Sequence, residues 1–143
     1  MKTIISIIVF LFTFLSVFAQ QRGFKEVNIN INGSTTKLYS QSHALVIGIS
    51  NYTNDWPDLP GVNNDVDAVK AALEQHDFNV ITVEDATKEQ IDKSISDFIS
   101  KYGQDADNRI IIYFAGHGHT IKTNYGEELG YIVPVDAPNP NID

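Results

Sequence analysis

Arg109-Ile110-Ile111-Ile112-Tyr113-Phe114-Ala115-Gly116-His117-Gly118 decides the fold. An unbroken run of β-branched and aromatic residues, Ile110 to Ala115, has the composition of a strand buried on both faces inside a parallel sheet. Function in such sheets collects outside the carboxyl ends of the strands. His117, between two glycines and directly off that strand, stands where a working side chain would stand. Glycine permits close backbone approach and positive φ, and the Gly118 N–H can face a developing oxyanion. A histidine base beside such a donor is half of a nucleophilic site. Placement alone would also suit a structural histidine; the flanking glycines favour the chemical reading.

Upstream, Ala44-Leu45-Val46-Ile47-Gly48-Ile49 is a second buried run and reads as a central strand. The loop Ser50–Gly61 follows, with Trp56, Pro57, Pro60 and Gly61 as breakers. A helix is expected from Asn63 or Asn64, either of which can cap it. Val66, Val69, Ala72 and Leu73 share its apolar face, and His76 and Asp77 close it. Asn79–Val83 is a short strand. Thr87-Lys88-Glu89-Gln90 matches a capping box. It opens a second helix with the stripe Ile91, Ile95, Phe98, Ile99 and Tyr102, ended by Gly103. A final strand is expected over Gly130–Val135. Residues 20–42 form a lead-in, with Val27, Ile29 and Ile31 alternating with asparagines and Asn32-Gly33 as a hairpin turn. The alternation of strands and helices predicts an α/β fold, a three-layer sandwich around a mainly parallel central sheet.

The 143-residue chain has room for one domain. Met1-Lys2, the apolar stretch Ile4–Phe18 and the small-residue ending Val17-Phe18-Ala19 have the layout of a secretory signal peptide over residues 1–19. At about fifteen residues the apolar stretch is short for a membrane span, which needs about twenty. The expectation is export, with cleavage near Ala19 and no stable membrane anchor. Cleavage would remove Lys2 and no acid, leaving 9 basic against 18 acidic residues, a net charge of −9. So acidic a chain lacks the electrostatic footprint for nucleic acid or anionic lipid. The absence of cysteine excludes a disulfide, a thiolate metal site and any thiol chemistry from these residues.

His117-Gly118-His119 could offer two metal ligands, but a zinc site needs three or four with a supporting shell. The remaining candidates are His43, before a strand, His76, at a helix end, and acids such as Asp136. They do not obviously converge, so neither a metal nor another cofactor is assigned. Asp65 and Asp67 fall at the expected start of the first helix, where acids suit the macrodipole. Their functional alternative is the wall of a substrate pocket. No Gly-x-Ser-x-Gly elbow and no phosphate-binding glycine loop occurs.

Four segments in order carry a resemblance: Ala44–Tyr52, then Leu59-Pro60-Gly61 with Asn64-Asp65-Val66-Asp67-Ala68, then Tyr113–Gly118, then Gly130–Ala137. Together they resemble the caspase domain, closest in flavour to its bacterial caspase-like and metacaspase branch, from about His43 to Asp143. The resemblance implies a cysteine endopeptidase with a Cys–His dyad on a caspase-hemoglobinase fold, acting on peptide or protein substrates. By position, His117 matches the dyad histidine and Gly118 the oxyanion donor.

Two departures matter. In caspases the cysteine follows the histidine by about fifty residues, whereas 26 residues separate His117 from Asp143. The expectation is the N-terminal portion of the domain over 43–143, its sheet incomplete at the C-terminus and inactive alone. The alternatives are a non-catalytic binding module or half-domain completed by another chain that supplies the cysteine, and a His-x-His metal-dependent hydrolase. Second, the arginine with which caspases bind a substrate aspartate would fall at about Gly61. Metacaspase-like relatives prefer Arg or Lys at P1, which Asp65 or Asp67 would suit.

Overall fold

The computed structural model describes residues 25–140. The signal-segment reading, over 1–19, lies outside the described residues. None of the described helices is long and apolar enough to cross a membrane.

The lead-in forms the hairpin expected: β1 (Val27–Ile31) pairs antiparallel with β2 (Ser34–Tyr39). Its turn has Asn32 at φ 52° and Gly33 at φ 82°, the two positive values that a two-residue primed turn requires. The chain then enters β3 (Gln41–Gly48), α1 (Gly61–Gln75), β4 (Asn79–Glu84), α2 (Lys88–Tyr102) and β5 (Asn108–Ala115). β3, β4 and β5 form one parallel sheet in the order β4-β3-β5. A second hairpin, β6 (Gly118–Lys122) with β7 (Glu128–Ile132), follows.

β3 is the central strand, and every residue from Ser42 to Ser50 is buried. Its alternation divides the core in two. Leu45, Ile47 and Ile49 pack with Ile91 and Phe98 of α2, while Val46 packs with Val62 and Val66 of α1. The helices therefore cover opposite faces, and the α/β three-layer architecture holds. The first crossover places β4 on one side of β3; the second carries the chain back across to β5. The winding reverses between β3 and β5, and a crevice opens outside their carboxyl ends.

Three expectations are corrected. β5 is an edge strand among the described residues, with Ile110, Ile111 and Ile112 38%, 37% and 43% exposed. Its apolar run is that of an interior strand, but only β3 pairs with it. α1 starts at Gly61, with Pro60 at the N-cap and no side-chain cap. Proline's fixed φ, here −62°, is already helical, and starting there brings Val62 onto the stripe against β3. Asp65 and Asp67 consequently lie beyond the first turn, which carries no acid, and the macrodipole account of them fails. Finally, Val133–Val135 is not strand: it is held by one bond each to the His117 and Ala86 carbonyls and by two from Thr53.

The start of α2 and the end of α1 follow their expected chemistry. Thr87 and Gln90 form a reciprocal capping box. His76 caps α1, and Asp77 takes φ 61°. Its N–H donates to the Glu74 carbonyl and that of Phe78 to the Leu73 carbonyl, the pattern of a Schellman stop.

His43 lies within β3, not before it, and is 1% exposed, stacked on Tyr102 at 3.9 Å between ring centroids. Burial, aided by the Lys101 charge, lowers its pKa from the ordinary 6.5. The unfolded chain then binds the proton more readily than the folded one, so stability is full above 6.5 and falls as pH drops below it. Urea midpoints measured from pH 7.5 to 5 are expected to decline, and His43→Phe is expected to flatten that decline. An unchanged slope in the variant would show that His43 is not responsible.

Candidate active site

The crevice at the carboxyl ends of β3 and β5 is built from two loops. After β5, Gly116 leaves the sheet and delivers His117. After β3, residues 49–60 run over the same end and supply three groups around the imidazole. The His117 Nε2 lies 2.8 Å from the Pro57 carbonyl oxygen. The His117 backbone N–H donates to the Tyr52 hydroxyl at 2.8 Å. The rings of Tyr52 and Trp56 lie 4.9 and 5.3 Å from that of His117.

The Pro57 contact fixes the proton. A carbonyl oxygen only accepts, so Nε2 must carry the hydrogen, and in the neutral ring Nδ1 then holds the lone pair. In that tautomer the nitrogen able to accept a proton is Nδ1.

Gly118 opens β6. The bond from the Val133 N–H to the His117 carbonyl makes Gly118 and Ile132 a non-hydrogen-bonded pair of the β6–β7 ladder. The Gly118 N–H is therefore directed away from β7. A Cβ at Gly118 would find its nearest neighbour at 3.7 Å, an ordinary contact. Gly116 is the crowded glycine: a Cβ there would sit 2.8 Å from Phe114 Cζ and 3.0 Å from the Tyr52 hydroxyl.

The β3 loop is itself tied down. Asp85, at φ 45° just past β4, accepts from the Ser50 N–H at 2.7 Å, the Asn51 N–H at 3.0 Å and the Asn51 side-chain amide at 2.5 Å. Burial alone would raise the Asp85 carboxyl, but these bonds outweigh it and hold it below its ordinary 3.8. The Tyr52 N–H donates to Asp58 at 2.9 Å, and Thr53 donates through both its N–H and its hydroxyl to the Val135 carbonyl. Burial pushes the Tyr52 phenol above its ordinary 10.0, with the Asp85 charge adding to the effect and the His117 N–H opposing it.

The predicted site residues divide. His117 and Gly118 stand together in the crevice. Asp65, exposed on α1, lines a groove of about 490 Å³ with Leu59, Tyr113 and Gly116, on the α1 side of the same loop. Asp67 is exposed on α1 and does not line that groove. His119 lies in β6 with its ring 6.0 Å from Trp56. The indole thus contacts both imidazoles. Among the described residues no group of three or more His, Cys, Asp or Glu side chains gathers as a metal site.

Tyr52 and Asp85 escaped the sequence reading, and Trp56 and Pro57 entered it only as loop formers. A tyrosine and a tryptophan in the loop straight off a buried strand were the available signal. Nothing local marks a backbone carbonyl as a ligand for a ring sixty positions away.

Comparison with known proteins agrees with this geometry. The family described as "Caspase domain" matches residues 41–143. The chain is 34% identical over 102 residues to the human (Homo sapiens) "Mucosa-associated lymphoid tissue lymphoma translocation protein 1". It is 33% identical over 102 residues to the mouse (Mus musculus) homolog. Each match covers 68% of this chain, and the chain spans 11% of the length of either relative. With the fold, the order of the motifs and the matched segment in agreement, the chain belongs to the caspase family.

Proposed function

We propose that the chain carries the histidine half of a caspase-like cysteine endopeptidase site, with His117 as base and Gly118 as oxyanion donor. The observation that carries this reading is the Nε2–Pro57 bond, which leaves the Nδ1 lone pair for a substrate-side proton. The nucleophile comes from outside these 143 residues, which contain no cysteine. Nδ1 takes the thiol proton as sulfur bonds to the scissile carbonyl carbon, and the Gly118 N–H donates to the resulting oxyanion. The imidazolium returns that proton to the departing amine. Water, deprotonated at the same nitrogen, then hydrolyses the acyl thioester. The open edge of β5 supports completion of the sheet by further polypeptide, including a second chain that brings the cysteine.

Export follows from the apolar N-terminal stretch, and a preference for basic P1 residues from Asp65, whose groove adjoins Gly116. The natural protein, isolated from its source, is expected to begin at Gln20 and to lose all peptidase turnover to a thiol alkylator. It should hydrolyse an arginine reporter at least about 10-fold faster than an aspartate one, the effect of one ~1.4 kcal/mol charge contact. Asp65→Asn should narrow that ratio. Turnover that survives alkylation would reject the thiol mechanism. Cleavage of the aspartate reporter alone would reject the basic preference and leave the mechanism standing.

A further inference from the structure

We propose that Tyr52 is the positioning residue for His117, holding its backbone N–H through the phenol oxygen while its ring sets the plane of the imidazole. The inference rests on the reading of His117 as the base, and it concerns how that base is aimed.

Three features of the site single out Tyr52. First, it touches His117 twice, by the 2.8 Å bond to the main chain and by ring contact at 4.9 Å. An imidazole that turns about its Cα–Cβ bond slides against that ring and loses Pro57. Second, Tyr52 is itself immobilised. Its N–H is held by Asp58, and its two neighbours Asn51 and Thr53 are held by Asp85 and by the Val135 carbonyl. Third, the phenol oxygen occupies the space beside Gly116, where an added Cβ would come within 3.0 Å of it. The tyrosine hydroxyl and the absent glycine side chain therefore form one fit.

The arrangement has a second effect. By accepting from the His117 N–H, Tyr52 takes that donor out of the crevice. The Gly118 N–H, directed away from β7, is then the donor this loop offers to a developing oxyanion. One hydroxyl thus separates the roles of two consecutive backbone amides.

The test is Tyr52→Phe, which keeps the ring and removes only the hydroxyl. In the natural peptidase, kcat is expected to fall about 10- to 100-fold with KM within about twofold, the size of loss that follows a misplacement near 1 Å. The thermal midpoint should stay within a few degrees of wild type. In the natural protein labelled with ¹⁵N, the His117 amide proton is expected to move upfield and exchange faster. The imidazole nitrogens should shift from a single Nε2–H tautomer toward a mixture. A Tyr52→Phe protein with wild-type kcat, or with the His117 amide and ring nitrogens unmoved, overturns the proposal. If the wild-type natural protein shows no His117-dependent hydrolysis, the reading of the base has failed, and the nitrogen spectra still decide whether Tyr52 orients the ring.

Discussion

If the proposed function holds, replacing His117 by alanine in the natural protein is expected to lower kcat/KM by roughly 10³-fold or more, the scale on which base removal acts in nucleophilic hydrolases. The loss should fall on kcat. In the proposed reaction the imidazole serves twice, taking the thiol proton and delivering it to the amine. Burial pushes the Tyr52 phenol above its ordinary range, and its oxygen is engaged by the His117 main chain. The ring of His119 meets Trp56 edge-on at 6.0 Å between centroids. The main chain at 117 keeps its bond to Tyr52 whatever the side chain, so the fold should survive, with the loss of the Pro57 hydrogen bond and of two ring contacts as the main cost. Steady-state kinetics and a urea titration on the same preparation check both halves. More than about a tenth of wild-type turnover in a folded variant would remove His117 from the mechanism.

The second large effect concerns Gly48, at the end of β3. A Cβ there would collide with a Val66 methyl and lie 3.2 Å from Val62 Cγ1. The strand cannot retreat. Gly48 is registered between Glu84 on β4 and Ala115 on β5, and its carbonyl accepts the Asp85 N–H at 2.8 Å. The helix must move instead, and with it the one apolar layer that covers this face of the sheet. Gly48→Ala is expected to cost about 1–3 kcal/mol, the usual range for overpacking a filled core, against a total of about 5–15 kcal/mol for a domain. Gly48→Val should cost more. The urea midpoint should fall with the slope unchanged. An alanine variant within about 0.5 kcal/mol of wild type would mean that α1 sits more loosely on β3 than its packing implies.

The sheet and its two helices were legible because their signals are local and redundant: continuous apolar runs for β3 and β5, a capping box for α2, an Asn-Gly turn for the first hairpin. The start of α1 was misplaced because asparagines advertised a cap, while the requirement to seat Val62 against β3 is a tertiary fact. The burial of β5 was overestimated for a related reason. Ile110–Ile112 report the environment the strand is suited to, and among the described residues only β3 pairs with it. His117 was found because glycines frame it. Its partners were not, since a carbonyl at Pro57 and a hydroxyl at Tyr52 become ligands only when β5 docks beside β3. Asp65 and Asp67, adjacent in every sequence argument, were parted by helical geometry, and only the first reaches the groove.

The Nε2–Pro57 bond spans sixty positions of chain, and that span bears on the order in which the molecule acquires its chemistry. Helices and tight turns close quickly, whereas pairing across long loops comes late and slowly. Until β5 aligns on β3, His117 Nε2 has no Pro57 carbonyl to donate to, and either ring nitrogen can carry the proton. The most widely separated pairing in the sheet is also the one that assigns that proton. On the proposed function, competence as a base depends on that pairing, and an incompletely assembled chain carries the same histidine without it.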